Sequence, residues 1–68
     1  MTKVQTTVKL ARELKDAELT SLSHLHAVYG IFAARVLPSN ELLIEYDASR
    51  LSPAEVRGTV EQHGLPIA

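Results

Sequence analysis

The residues IEYDASRLSPAEV at positions 44–56, followed by VEQHGL at positions 60–65, are the most informative part of this chain for predicting its fold. Its order is that of a strand, a short turn, a capped helix and a glycine stop. In Ser52-Pro53-Ala54-Glu55, serine is a favoured N-cap, proline suits the first helical position, and glutamate completes a capping box. Gly64 predicts the end of this helix. The segment Leu65-Pro66-Ile67 is then predicted as a short last strand, at an edge because proline cannot donate a hydrogen bond.

Three further segments have the residue pattern of β-strands, with apolar and β-branched side chains recurring at a period of two. They are predicted at residues 4–10, 31–37 and 42–46. The last two are separated only by the turn Pro38-Ser39-Asn40. So short a link predicts that they form an antiparallel hairpin.

An amphipathic helix is predicted between the first two of these strands. At about 100° per residue its apolar face consists of Leu22, Leu25, His26 and Tyr29, flanked by Leu19 and Val28. It begins with Asp16 or Thr20 as its N-cap and ends near Tyr29, before Gly30. The full order β-α-β-β-α-β predicts an α+β, ferredoxin-like sandwich, in which a four-stranded antiparallel sheet carries both helices on one face. The whole chain, residues 1–68, is predicted to be a single domain.

The composition narrows the possible functions. The chain has 46% hydrophobic residues, three aromatic residues, no cysteine and a formal net charge of −1. Such a small net charge provides no strong attraction for nucleic acid or for an anionic membrane surface, so neither is expected as a partner. No apolar run approaches the roughly 20 residues of a transmembrane helix. No signal peptide is indicated, and we expect a cytoplasmic location.

Three groups of residues, in their order and spacing, resemble the heavy-metal-associated (HMA) domain, the small fold of copper chaperones and metal-pumping ATPases. The resemblance covers roughly residues 20–67. It implies the same βαββαβ fold and a metal-binding loop between the first strand and the first helix. The groups are Gly30-Ile31 with Ala34 and Val36, Tyr46-Asp47 with Leu51-Ser52, and Val56 with Val60-Glu61 and Gly64.

The metal loop is where the chain departs from this family. The family's loop contains Met-x-Cys-x-x-Cys, and counting back from Gly30 places the methionine near Arg12 and the cysteines near Leu14 and Ala17. None of these residues is a soft ligand, and Met1 has the only sulfur atom of the chain. Because copper(I) requires thiolate or thioether ligands, the family's transport chemistry is not carried over. The resemblance therefore implies a degenerate metal site.

Histidine and carboxylate ligands offer an alternative metal site. His63, together with Glu13 or Asp16, could bind zinc or nickel, which accept nitrogen and oxygen ligands. His24 and His26 lie about 200° apart around a helix and cannot chelate one ion together. The simpler interpretation is that His26 and His63 are half-buried helix residues. We expect no cofactor, with a divalent metal as the alternative.

Catalysis is not expected. No serine lies at a spacing that suggests a base and an orienting acid. Glu41 and Glu45 share one strand face at about 13 Å, as estimated from the rise per residue of a strand. Such a pair is typical of a solvated face.

A small interaction surface is predicted on the open face of the sheet. Phe32 and Leu43 form an apolar patch there, with Arg35 and Glu45 at its rim. One aromatic residue is a poor platform for stacking RNA bases, whereas the patch could bind a protein partner or a second copy. The family resemblance implies docking near the metal loop, where Arg12 belongs to a rim of mixed charge. The expected function is a non-catalytic binding or adaptor module, or a homo-oligomer, with a metal carrier as the alternative.

Overall fold

The computed structural model describes residues 2–68, which form three strands and two α-helices around one core. The strands are β1, Lys3–Lys9; β2, Ile31–Val36; and β3, Glu41–Asp47. The helical segments are α1, Asp16–His24; a 3₁₀ helix, Leu25–Ala27; and α2, Pro53–Gln62. The α+β class and the first three predicted strands are confirmed.

The sheet has the strand order β1-β3-β2, and β3 pairs antiparallel with both of its neighbours. Alternate residues of β3, namely Leu42, Ile44 and Tyr46, are buried, as their period of two predicts. Leu43 and Glu45 lie between them on the opposite, open face of the sheet. The buried side chains of the central strand therefore form the sheet side of the core.

Side chains from both helical regions join the buried face of the sheet in one core. Leu25 of the 3₁₀ helix and Val56 and Val60 of α2 are fully buried. The predicted start of α2 is confirmed, because Ser52 Oγ accepts a hydrogen bond from Glu55 N–H at 3.2 Å. Glu55 Oε1 in turn accepts one from Ser52 N–H at 3.0 Å. This reciprocal capping box fixes the entry into α2.

The predicted fourth strand is wrong, and with it the four-stranded ferredoxin-like sandwich. Residues 65–67 contribute only an isolated antiparallel bridge between Leu10 and Ile67. Pro66 has no N–H to donate, and the N–H of Ile67 donates to Leu65 O, within the same segment, at 3.0 Å. Leu65 itself is drawn into the core. The bridge has two hydrogen bonds, from Ala11 N–H to Pro66 O at 2.7 Å and from Ala68 N–H to Lys9 O at 2.8 Å. Because Pro66 cannot donate to Ala11 O and Leu65 turns into the core, the bridge does not extend into a ladder, and the sheet has three strands.

The first helix differs from its prediction at both ends. Its N-cap is Lys15, not Asp16 or Thr20. The α-helix ends at His24, and the chain continues as a 3₁₀ helix. The tighter winding of a 3₁₀ helix changes the direction of the residues that follow it. Tyr29, predicted on the apolar face, is 72% exposed.

Candidate functional site

An open groove of about 340 Å³ lies at the end of the sheet where β1 and β2 finish. The start of α1 and the loop before it form one wall, and the end of β2 with the hairpin turn forms the other. The groove exposes two large apolar side chains, Leu19 (46% exposed) and Val36 (41% exposed). The lining residues are mainly apolar: Glu13, Leu14, Leu19, Val36, Leu37, Pro38 and Asn40.

The α1 wall is held in place by an ion pair at the start of the helix. Arg12 donates two hydrogen bonds, at 2.7 and 2.6 Å, to the two carboxylate oxygens of Glu18. Glu18 also accepts a hydrogen bond from Lys15 N–H at 2.8 Å. These contacts, led by the Arg12 hydrogen bond, lower the pKa of Glu18 to about 2, and the same hydrogen bond raises the pKa of Arg12. The loop that carries Leu14 is thereby tied to the first turn of α1.

The opposite wall is shaped by the tight turn between β2 and β3. Leu37 N–H donates to Glu41 O at 2.8 Å, and Asn40 N–H donates to Leu37 O at 3.0 Å. Asn40 has a left-handed backbone with φ 63°, which asparagine adopts more readily than most residues. Leu10 N–H donates to Asn40 O at 3.1 Å and so ties the turn to β1. Val36 stays exposed because β2 is covered mainly by the 3₁₀ helix and less by α1.

The structure does not bring the predicted metal ligands together as a three-ligand site. Within residues 2–68, no three His, Cys, Asp or Glu side chains are placed so that they could hold a metal ion. Glu13 lines the groove, Asp16 is the first residue of α1, and His63 is the C-cap of α2. His63 Nδ1 lies 2.9 Å from the carbonyl oxygen of Thr59, so Nδ1 carries the proton of a neutral ring. The metal-carrier hypothesis stays a prediction.

The register of the sheet gives the positions of the residues predicted for interaction. Leu43 lies on the open face, directly opposite Thr7 of β1 and Arg35 of β2. Phe32 lies at a register shift between β2 and β3 and is 37% exposed. Arg12 lies at the groove end of the molecule, in the ion pair that starts α1. Arg35, and not Phe32, is therefore the direct cross-strand neighbour of Leu43.

Asp47 is the one buried charged residue among those the structure describes. Its Oδ1 accepts hydrogen bonds from the Ser49 hydroxyl at 2.6 Å, from Ser49 N–H at 3.0 Å and from Thr2 N–H at 3.2 Å. These bonds, led by the Ser49 hydroxyl, lower the pKa of Asp47 to about 2. A carboxylate with so low a pKa is a poor base at neutral pH. We assign Asp47 to stabilising the turn between β3 and α2.

The sequence alone does not identify the groove. It predicts Leu19 beside the apolar face of a helix and Val36 inside a strand, and neither prediction marks a concave surface. One signal was available, because aliphatic residues flank both the loop before α1 and the hairpin turn. The loop before α1 and the hairpin turn form one groove because they pack at the same end of the sheet, and this depends on the tertiary structure.

Comparison with known proteins gives no match to any family model and no curated protein that is similar at a significant level. The resemblance to the heavy-metal-associated domain therefore stays a prediction that depends on the residues quoted for it. Among residues 2–68, no helix combines the length and the apolar character needed to cross a membrane.

Proposed function

We propose that this chain is a non-catalytic binding module that holds a protein partner, or a second copy of itself, in the groove between α1 and β2. The observation that carries the proposal is that Leu19 and Val36 expose their side chains along one apolar concave surface. Scattered exposed aliphatic residues are ordinary on protein surfaces. Because Leu19 and Val36 lie in the same groove, one bound ligand would shield both side chains from water.

The energy available from the groove sets the kind of contact it can make. Burying one aliphatic side chain contributes about 1.5–3 kcal/mol. This gain is smaller than the free-energy cost of the translational and rotational freedom that two molecules lose when they associate. A partner must therefore also contact the surface around the groove, where Glu13 and Asn40 provide polar groups that can orient it.

The chemistry of the groove supports binding over catalysis. Glu13 and Asn40 are the polar members of an otherwise aliphatic lining. A general base acts together with a nucleophile or a group that orients the substrate. Aliphatic walls instead select a ligand by shape and by the burial of apolar surface.

A cytoplasmic location belongs to the same proposal. The chain has no cysteine, so its stability does not depend on disulfides and it requires no oxidising compartment. A module of this kind can fold and bind in the reducing conditions of the cytoplasm.

Leu19→Glu tests the proposed function. Glutamate keeps the helix propensity at this position and places a charge in the apolar groove. Partners are captured by chemical cross-linking in cells, identified by mass spectrometry and bound again as purified proteins. We expect a true partner to bind the variant roughly tenfold more weakly or worse, since a buried charge costs more than the roughly 1.4 kcal/mol of that factor.

Tyr29→Glu is the matched control, because it makes the same replacement at an exposed residue near the opposite end of β2. It should bind the partner as the wild-type chain does. Sedimentation equilibrium identifies the case in which the partner is a second copy. The proposal is contradicted if Leu19→Glu binds every partner normally, or if the chain has no partner and is monomeric at all concentrations.

A further inference from the structure

The outer edge of β2 has backbone groups that point away from the sheet. Leu37 N–H donates to Glu41 O immediately after the strand, so these two residues form a hydrogen-bonded pair. Such pairs alternate with non-hydrogen-bonded pairs along antiparallel strands. The N–H and C=O groups of Ala34 and Val36 are therefore directed outward, away from β3.

His26 closes the first part of this edge. Ala34 N–H donates to His26 Nε2 at 3.2 Å, which confirms that this N–H points outward. His26 Nδ1 lies 3.2 Å from Ser23 O, and since a carbonyl only accepts, Nδ1 carries the proton and Nε2 the lone pair. The 3₁₀ helix that carries His26 packs along β2. A covered edge does not accept another strand, so the open part of the edge is at Val36.

The open part of the edge and the apolar groove meet at Val36. Its side chain lines the groove, and its N–H and C=O point outward from the adjacent edge. Residues directly opposite each other in a β-ladder place their side chains on the same face of the sheet. A residue that pairs with Val36 would therefore place its own side chain in the groove, beside Leu19. One extended ligand can therefore form hydrogen bonds with the backbone of Val36 and also fill the groove.

We infer that the groove binds an extended segment of a protein partner, which pairs with β2 at Val36 and inserts one aliphatic side chain beside Leu14, Leu19 and Leu37. The inference rests on the proposed function and specifies its ligand. In this mode of recognition, main-chain hydrogen bonds provide affinity and the pocket selects the side chain. Glu13 at the rim favours a lysine or arginine next to the inserted residue.

A partner's segment suits this edge better than β2 of a second copy. A twofold axis through Val36 would place Pro38 of each copy opposite Ala34 of the other. Pro38 has no N–H, and Ala34 N–H is already bonded to His26, so that pair could form no hydrogen bond. The ladder would consist of the Val36 pair alone. An axis through Ala34, or through Arg35 with Val36 opposite Ala34, would place a strand where His26 already lies.

The test uses a display library of random eight-residue peptides, selected on the full chain and counter-selected on Leu19→Glu. An enriched peptide is then synthesised unmodified and in two N-methylated forms, each of which blocks one alternating set of its amides. We expect one N-methylated form to bind roughly tenfold more weakly than the unmodified peptide, because it loses one or two main-chain hydrogen bonds. Binding of the unmodified peptide should slow hydrogen exchange at the Val36 amide and leave the Ala34 amide unchanged.

Three results would overturn the inference. If the peptide depends on Leu19 but both N-methylated forms bind equally and exchange at Val36 does not change, strand pairing is wrong and the proposed binding function stands. If no enriched peptide depends on Leu19, both the inference and a peptide-binding role of the groove fail. If the free chain forms dimers that Leu19→Glu abolishes, the groove belongs to a second copy.

Discussion

The two α-helices of this chain begin in different ways. α2 starts with a complete capping box between Ser52 and Glu55, with Pro53 at the first helical position. α1 starts at Lys15, whose side chain has no oxygen that could accept a hydrogen bond from the helix. Glu18 supplies half of the missing box by accepting a hydrogen bond from Lys15 N–H. The start of α2 is therefore stabilised by a complete capping box, whereas the start of α1 has half of one, supported by the ion pair between Arg12 and Glu18.

The two helices also differ in where they meet the core. α2 buries Val56 and Val60 completely. α1 buries Leu22, and the segment is anchored mainly beyond its C-terminal end, where the 3₁₀ helix places Leu25 in the core. The early residue Leu19 stays almost half exposed. The groove thus lies beside the part of the helical layer that the core holds least, and this is the part free to contact a partner.

The largest expected effect tests how the first helical region is anchored. Leu25→Ala should lower the free energy of unfolding by about 2–5 kcal/mol, because it leaves a cavity at a fully buried site. A chain of this size has a total of roughly 3–10 kcal/mol, so the variant should be close to unfolding. Leu19→Ala should change stability by less than about 0.5 kcal/mol. Urea denaturation of both variants measures the difference, and equal losses would contradict uneven anchoring of this region.

Substitutions at the two helix N-caps should change the stability by smaller amounts. Ser52→Ala should destabilise the protein by about 1 kcal/mol, because Glu55 N–H loses its acceptor. Lys15→Ser makes the opposite change in α1, where it supplies the missing acceptor beside Glu18. It should increase stability by a few tenths of a kcal/mol up to about 1 kcal/mol. Thermal unfolding followed by circular dichroism can detect both shifts, and a destabilised Lys15→Ser would show that the α1 start is not limited by capping.

The contribution of the Glu18 charge to stability, measured as the pH is lowered, should be the smallest of these effects. The pKa of Glu18 falls from an ordinary 4.5 to about 2 in the folded chain, first because of its hydrogen bond from Arg12. A lowered pKa means that Glu18 stabilises the fold fully above about pH 4.5 and that this contribution is lost as the pH falls through about 2. The pair is solvent-accessible on the arginine side, so the effect is small and is screened by salt.

Chemical denaturation of the wild-type chain and of Glu18→Gln between pH 6 and pH 2 measures this contribution. The difference in stability between the two proteins should shrink as the pH is lowered. Asp47, whose pKa is also lowered to about 2, is unchanged in both and therefore cancels. A difference that stays constant over the whole range would show that Glu18 acts through packing and not through its charge.

Local sequence signals predicted the elements that depend on neighbouring residues. The Ser52–Glu55 capping box, the hairpin around Pro38-Ser39-Asn40 and the buried alternation of β3 were all readable in this way. The last strand is predicted wrongly because its length depends on Leu65 entering the core and on the segment meeting β1 only at the bridge between Leu10 and Ile67. Neither event leaves a mark in a pattern of alternating hydrophobicity.

The candidate site was less predictable than the fold. Its walls come from two connections that are separated along the chain by α1 and β2, and no local pattern links Leu14 to Pro38. The predicted ligands Glu13, Asp16 and His63 were chosen by residue type, and the structure places them on a loop, a helix start and a helix end. Side-chain chemistry can be read from a sequence, whereas the distance between two side chains cannot.

Interactions between residues close in the chain set the order of the three strands and two α-helices, the capped start of α2 and the apolar face of β3, and these features are therefore predictable from the amino-acid sequence. Tertiary packing sets the number of strands, the change of the first helical segment to a 3₁₀ helix at Leu25, and the groove beside Val36. Each of these features depends on contacts and hydrogen bonds between segments that are distant in sequence. Such contacts form only when the chain packs.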